Sequence, residues 1–271
     1  MNTSELKIAV LGCGNIGSAI ALGLVKSGKF SASNIYCTKR KKDSLTKYAD
    51  EGFNTTTDNK EAVKNSSLII IAVTPQQLNE LAAEIKSEID SENHKIFSIV
   101  SGASIKQIKK LFGDDVPVVR VMPNTAIAIQ ESMTCISGNE KESIDLAVNI
   151  FDNVGKTVVI AEELMVPATA LCACGIAFFM RAIRAASQGG IEIGFHAEDA
   201  LFMAAQTSKG ASALLLRQGS HPEREVDKVT TPQGCTISGL NQMEHSGFSS
   251  SLIKGIVSSA EKAATLYSNK D

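Results

Sequence analysis

The segment Gly12-Cys13-Gly14-Asn15-Ile16-Gly17 constrains this chain more than any other. It follows the apolar run 7–11, which reads as a strand, and opens 17–27, which carries helical periodicity. In a G-x-G-x-x-G turn between strand and helix each glycine has a task. The first allows a tight turn, the second lets a pyrophosphate approach the backbone, and the third lets helix and strand pack closely. The phosphates then meet unpaired N–H groups at a helix N-terminus. The alternative is a merely structural turn, but the setting favours a dinucleotide site that includes Gly12, Gly14, Asn15, Ile16 and Gly17.

That setting is a β-α rhythm over the first 160 or so residues. Strands are expected at 7–11, 34–37, 68–73, 96–100, 117–121 and 156–160, several of them apolar throughout, as strands covered on both faces must be. Helices are expected at 17–27, 76–89 and 104–112, with Ser104 as an N-cap and Gly28 and Gly113 as stops. The fold class is therefore α/β, with a dinucleotide-binding domain over 1–161. From 162 the strand signals vanish. The helical segments 162–194, 197–218 and 236–268 are rich in Ala, Ser and Gly. Residues this small let helices approach closely but build no deep core, so the domain 162–271 is expected to pack against a second copy, as a homodimer or an assembly of dimers.

Charge after the second strand selects the cofactor. NAD-binding sheets place an acid about 20 residues beyond the glycines for the ribose 2′-OH, yet no acidic residue occurs between Gly12 and Lys42. Thr38-Lys39-Arg40-Lys41-Lys42 stands there instead. The Thr38 hydroxyl and the forked Arg40 guanidinium suit a 2′-phosphate, so NADPH is expected ahead of a weaker NADH. Val73-Thr74-Pro75, Ser101-Gly102-Ala103 and Met122-Pro123-Asn124-Thr125 lie at strand ends, the ligand edge of an open α/β sheet. Val73, Thr74 and Pro75 are candidates for the ribose and nicotinamide side, and Asn124 for an orienting polar group.

Other classes are disfavoured. With 27 Lys and Arg against 29 Asp and Glu, the net charge of −2 offers no field for a nucleic-acid backbone. Six cysteines show no C-x-x-C pair and are read as buried, reduced thiols. Four scattered histidines form no metal motif, and no metal is expected. The polar start, 1–7, lacks the pattern of a secretory signal, and the apolar runs 68–73 and 168–180 are shorter than the roughly 20 residues that span a bilayer. A cytoplasmic protein without membrane span is expected.

The chain resembles the pyrroline-5-carboxylate reductase family over nearly its whole length. The motifs are 8–17, Ala72-Val73-Thr74-Pro75, Arg120-Val121-Met122-Pro123-Asn124-Thr125, Gly189-Gly190-Ile191-Glu192-Ile193-Gly194 and, most specific, His221-Pro222 through Asp227-Lys228-Val229-Thr230-Thr231-Pro232-Gln233-Gly234-Cys235-Thr236-Ile237. The resemblance implies an N-terminal Rossmann-like domain, an all-helical dimerisation domain, an active site shared by two subunits, and reduction of 1-pyrroline-5-carboxylate to L-proline with hydride from NADPH. Read physically, 231–236 is a turn opening a helix, whose free N–H groups could hold a small carboxylate. By resemblance, Thr231, Gly234 and Cys235 surround that carboxylate, Cys174 and Gly175 join the substrate site, and the Thr236 hydroxyl bonds the ring nitrogen as the catalytic contact. The chain departs from the family in Cys172-Ala173-Cys174-Gly175-Ile176-Ala177, where Ser-Gly-Ser-Gly-Pro-Ala is usual. It also has Gln233 for a usual Gly, Thr74 for Lys and Ala126 for Pro. If Gln233 must take φ > 0, it carries a penalty that glycine avoids. Alternatives are a reductase of a related cyclic imino acid, such as the six-membered homologue, and a non-catalytic NADPH-binding module.

Overall fold

A computed structural model of the chain describes residues 5–217 and 219–267. The polar start at 1–4 and the helix ends expected at Gln218 and Ser268 lie outside the described residues. Two compact units emerge, one of residues up to 174 together with those from 259 onward, the other of 175–258.

In the first unit the strands are β1 (Ile8–Leu11), β2 (Ile35–Thr38), β3 (Asn54–Thr56), β4 (Leu68–Ile71), β5 (Lys95–Ser98), β6 (Val118–Met122), β7 (Ser132–Gly138) and β8 (Gly155–Val159). They form one sheet in the order β3-β2-β1-β4-β5-β6-β7-β8. Neighbours pair in parallel except β6 and β7, where Val121 faces Ile136 in an antiparallel register. Six strands match expected ones to within a few residues; β3 and β7 are additions. Asn54-Thr55-Thr56 is short and half-buried, and over Ser132–Gly138 each face mixes polar and apolar residues, Ser132 and Thr134 with Ile136 on one and Met133 and Cys135 with Ser137 on the other, so neither shows a clean apolar run.

The helices of this unit are α1 (Asn15–Lys26), α2 (Thr46–Asp50), α3 (Asn59–Lys64), α4 (Leu78–Ile85), α5 (Ile105–Phe112) and α6 (Lys141–Phe151), followed by the single turn α7 (Met165–Ala168). Helix α1 starts two residues before the expected position, so Gly17 lies inside it. Ser104 caps α5 as expected, its hydroxyl accepting the Gln107 N–H at 3.2 Å, and Gly113 ends it at φ 126°. Strand alternation sends Ile8 and Val10 into one apolar layer and Ala9 and Leu11 into the other. Each large side chain so buried contributes about 1.5–3 kcal/mol.

Composition changes at Glu162, and the structure shows what anchors that point. The Glu162 carboxylate accepts the Ile105 N–H at the start of α5 at 2.6 Å and lies 3.4 Å from the Arg120 guanidinium. Arg120 is buried; burial pushes its pKa down, and the charge of Glu162 opposes that shift. Beyond it, a π-helical turn, Thr169–Cys174, joins α7 to α8 (Gly175–Glu192). The stretch Glu162–Glu192 is long and apolar enough, by length and composition, to cross a membrane. Length and composition alone carry that statement, and the core helix of a soluble protein meets the same test.

The second unit holds α8, then α9 (Ala197–Leu215), α10 (Pro222–Val229), α11 (Cys235–His245) and the first part of α12 (Phe248–Ala264). The segment expected as one helix over 236–268 is two, broken at Gly247 with φ 80°. Small residues do what they promised: Gly190 lets Ala200 approach so closely that an added Cβ would lie 3.1 Å from the Ala200 methyl. The unit buries almost nothing by itself. Phe179, Met180, Phe202, Leu216 and Ile253 are all more than half exposed, an apolar surface of a kind that marks an interaction site.

Candidate functional site

The loops at the carboxyl ends of β1, β2, β3 and β4 enclose a cleft of about 400 Å³. Gly12, Gly14, Thr38, Arg40, Val73 and Thr74, all expected at the cofactor, line it together. Gly12 turns at φ 94°, and a Cβ there would press 2.9 Å from Val73 Cγ1. Gly17 packs beneath the turn, where a Cβ would collide with the Gly12 carbonyl oxygen. Nothing lies within 4 Å of where a Gly14 Cβ would sit, so that glycine leaves open approach to the backbone. The three glycines thus divide their tasks as the motif requires.

Thr38 locks this turn. Its carbonyl accepts the Cys13 N–H at 2.8 Å and its hydroxyl accepts the Gly12 N–H at 3.2 Å. With the residue only 2% exposed, its first duty is to order the turn, a narrower role than the phosphate contact expected of it. Lys39, Arg40 and Lys41 all line the cleft, and no Asp or Glu does. A polyanion carrying a phosphate near β2 fits this charge. Sequence reasoning missed Ser44, Thr57, Asn59 and Gln77, which line the same cleft. Thr57 and Asn59 follow β3, the strand that was not anticipated.

Other expected cofactor residues stand apart from this lining. Asn15 and Ile16 begin α1, and Pro75 opens a short 3-10 turn beside Thr74, whose hydroxyl donates to Gln77 Oε1 at 3.1 Å. Asn124, at the end of β6, is 8% exposed and committed to the protein itself. Its Oδ1 accepts the Ala126 N–H at 3.0 Å and its Nδ2 donates to the Cys172 carbonyl at 3.2 Å. The Oδ1 bond caps the 3-10 turn that Asn124 itself opens and the Nδ2 bond pins the π-helical turn, while Asn124 does not line the cleft at the glycine turn.

In the helical unit, 231–236 is a tight turn. The Gly234 N–H donates to the Thr231 carbonyl at 2.9 Å, and Gly234 is the N-cap residue of α11. A Cβ at Gly234 would sit 2.5 Å from the Thr231 hydroxyl, so only glycine fits. Gln233 holds φ 60°, the left-handed conformation anticipated for it, in which a non-glycine residue is strained by roughly 1–3 kcal/mol. Cys235 and Thr236 occupy the first turn of α11, both exposed, and among the described residues the Thr236 hydroxyl makes no hydrogen bond. Cys174 ends the π-helical turn, and Gly175, buried, begins α8.

Residues 162–266 match the family description "Pyrroline-5-carboxylate reductase dimerisation", and 7–102 match "NADP oxidoreductase coenzyme F420-dependent". A Dictyostelium discoideum protein named pyrroline-5-carboxylate reductase 2 is 46% identical over 95% of this chain and 92% of its own length. The chain belongs to the pyrroline-5-carboxylate reductase family. Another Dictyostelium relative, pyrroline-5-carboxylate reductase 1, is 54% identical over 97% of the chain, which spans half the length of that protein. A Plasmodium falciparum pyrroline carboxylate reductase solved with NADP bound shares the fold, with a TM-score of 0.90 at 24% identity over 98% of this chain and all of the other. Within the family description for dimerisation fall both the exposed apolar helix faces and the turn at 231–236.

Proposed function

We propose that this member of the pyrroline-5-carboxylate reductase family reduces 1-pyrroline-5-carboxylate to L-proline with NADPH. The observation that carries the reading is the glycine-cradled cleft lined by Lys39, Arg40 and Lys41 without an acid, in a chain 46% identical to a reductase of that name over almost its full length. NADPH supplies the hydride. Gly12 and Gly14 admit its pyrophosphate to the backbone at the start of α1, and Arg40 pairs with its 2′-phosphate. The free N–H groups at the start of α11, from Cys235 on, hold the substrate carboxylate beside Thr231 and Gly234, and Cys174 and Gly175 keep the substrate role that the family resemblance implies. Thr236 donates its hydroxyl toward the ring nitrogen. A threonine is too weak an acid to supply a full proton, so the substrate arrives protonated or takes its proton through water, and the protein acts by positioning.

Oxidation of NADPH followed spectrophotometrically with the five-membered imine, its six-membered homologue, and NADH in place of NADPH tests this reading. Turnover is expected with the five-membered imine, fastest with NADPH. No oxidation with either imine would leave a non-catalytic NADPH-binding module. Arg40→Ala is expected to weaken NADPH by roughly tenfold to a hundredfold, the loss of a charged hydrogen bond, and to leave NADH nearly unchanged. Equal losses for both cofactors would remove Arg40 from the 2′-phosphate.

The reading includes a homodimer or an assembly of dimers in the cytoplasm, in keeping with the apolar helix faces and six free cysteines. Sedimentation is expected to find dimers or multiples of dimers as the folded species. A folded, fully active monomer would overturn this.

A further inference from the structure

We propose that Cys135 and Cys172 form a reversible intramolecular disulfide, a thiol-oxidation site at the π-helical turn that precedes α8. The two come from distant parts of the first unit, Cys135 from the middle of β7 and Cys172 from the turn Thr169–Cys174. Their sulfurs lie 3.8 Å apart, with the Cys135 thiol donating to Cys172 Sγ. They share one small apolar cluster with Met122, Met165 and Ala168. Forming the bond requires the sulfurs to close to about 2.05 Å, a movement the widened π-helical turn can supply more readily than the strand.

Access and reactivity differ between the partners in the way a redox pair needs. Cys135 is 3% exposed, whereas Cys172 is half-buried and reachable by a small oxidant. The hydrogen bond from Cys135 draws the Cys172 pKa below that of an ordinary thiol, favouring its thiolate, and raises that of Cys135 itself. Cys13 and Cys37, also neighbours, are fully buried and offer no such entry.

The chemistry balances with hydrogen peroxide as oxidant. The Cys172 thiolate attacks one peroxide oxygen, the O–O bond breaks, and hydroxide leaves as a sulfenic acid forms. Cys135 sulfur then attacks Cys172 sulfur; the S–S bond forms, the S–O bond breaks, and the Cys135 proton leaves with the hydroxyl as water. Two thiols have lost two electrons to the peroxide, and a dithiol reductant reverses the change by exchange. The backbone consequence is local. Asn124 holds the Cys172 carbonyl, so drawing Cys172 toward β7 strains that hydrogen bond and displaces Cys174 and Gly175.

The experiment treats the full chain with hydrogen peroxide, blocks free thiols under denaturing conditions, and digests it for mass spectrometry. Wild type is expected to yield a Cys135–Cys172 peptide pair lighter by two hydrogens, removed by dithiothreitol, absent in Cys135→Ser and in Cys172→Ser, and kept in Cys174→Ser. Imine reduction should fall on oxidation and recover on reduction in wild type, while Cys135→Ser keeps its activity through the same brief exposure. A Cys172 oxidised to sulfinic acid without a linked partner, or linked to Cys174 or across two copies, would overturn the proposal. The linked peptide is read without any turnover, so its presence in a chain that reduces no imine would sink only the assigned activity.

Discussion

Alanine at position 17 is expected to cost the chain both stability and cofactor. The added methyl would collide with the Gly12 carbonyl oxygen and sit 3.2 Å from the Ala72 methyl, and a backbone oxygen cannot swing aside as a side chain can. Overpacking of this kind costs about 1–3 kcal/mol. Because the part that must move is the phosphate-binding turn, the same energy appears in NADPH binding as a roughly tenfold to hundredfold loss, with a lowered melting temperature. The informative control is Gly14→Ala, whose methyl meets nothing within 4 Å. It should melt like wild type while binding NADPH less well, since it narrows only the approach to the backbone. Calorimetric titration with NADPH and thermal melts separate the two. Wild-type affinity in Gly17→Ala would mean that the cofactor does not lie on this turn.

The second large effect is expected at Thr236. A hydrogen bond to a charged group contributes about 1.5–3 kcal/mol, so Thr236→Ala should lower kcat/KM by roughly tenfold to somewhat over a hundredfold. NADPH affinity should stay the same, because the residue lies in α11, remote in sequence from the glycine turn. Its hydroxyl is exposed and unbonded among the described residues, so removing it should leave the melting temperature nearly unchanged. Thr236→Ser should recover much of the loss; Thr236→Val, which keeps the shape, should not. If the valine variant turned over as fast as wild type while remaining folded and dimeric, Thr236 would be a structural residue of the helix start.

What the sequence revealed and what it hid follow from the range of the interactions involved. The glycine turn was legible because each of its glycines answers a local demand, and the basic run after β2 because charge needs no partner to be noticed. Gln233 was flagged conditionally, because it stands where the family usually has glycine, and its φ of 60° meets that condition. The strand β7 was not, because Ser132, Thr134 and Ser137 are buried only through pairing with β6 and β8, which periodicity alone does not announce. The hydrogen bonds of Asn124 were hidden for a related reason. Its place at a strand end is visible in the sequence, but its actual partner, the Cys172 carbonyl, lies 48 residues away. A separation of 37 residues likewise hid the Cys135–Cys172 pair, which looked like two unrelated buried thiols until the fold brought them together.

Tyr267 belongs to the sheet's apolar layer beside Leu11, Ile71 and Ile96, its backbone N–H close against Gly102 and its hydroxyl donating to Asn79 at 2.8 Å across 188 residues of chain. Translation therefore sets an order on assembly. The nascent sheet leaves the ribosome first, and at about 5–20 residues per second its closing tyrosine follows roughly 5–20 s later, after the whole helical unit. For that interval one apolar layer of the nucleotide-binding half lacks Tyr267, and the helices emerging meanwhile expose apolar faces. The period of greatest exposure to chaperones and to misassociation is thus written into where one side chain docks.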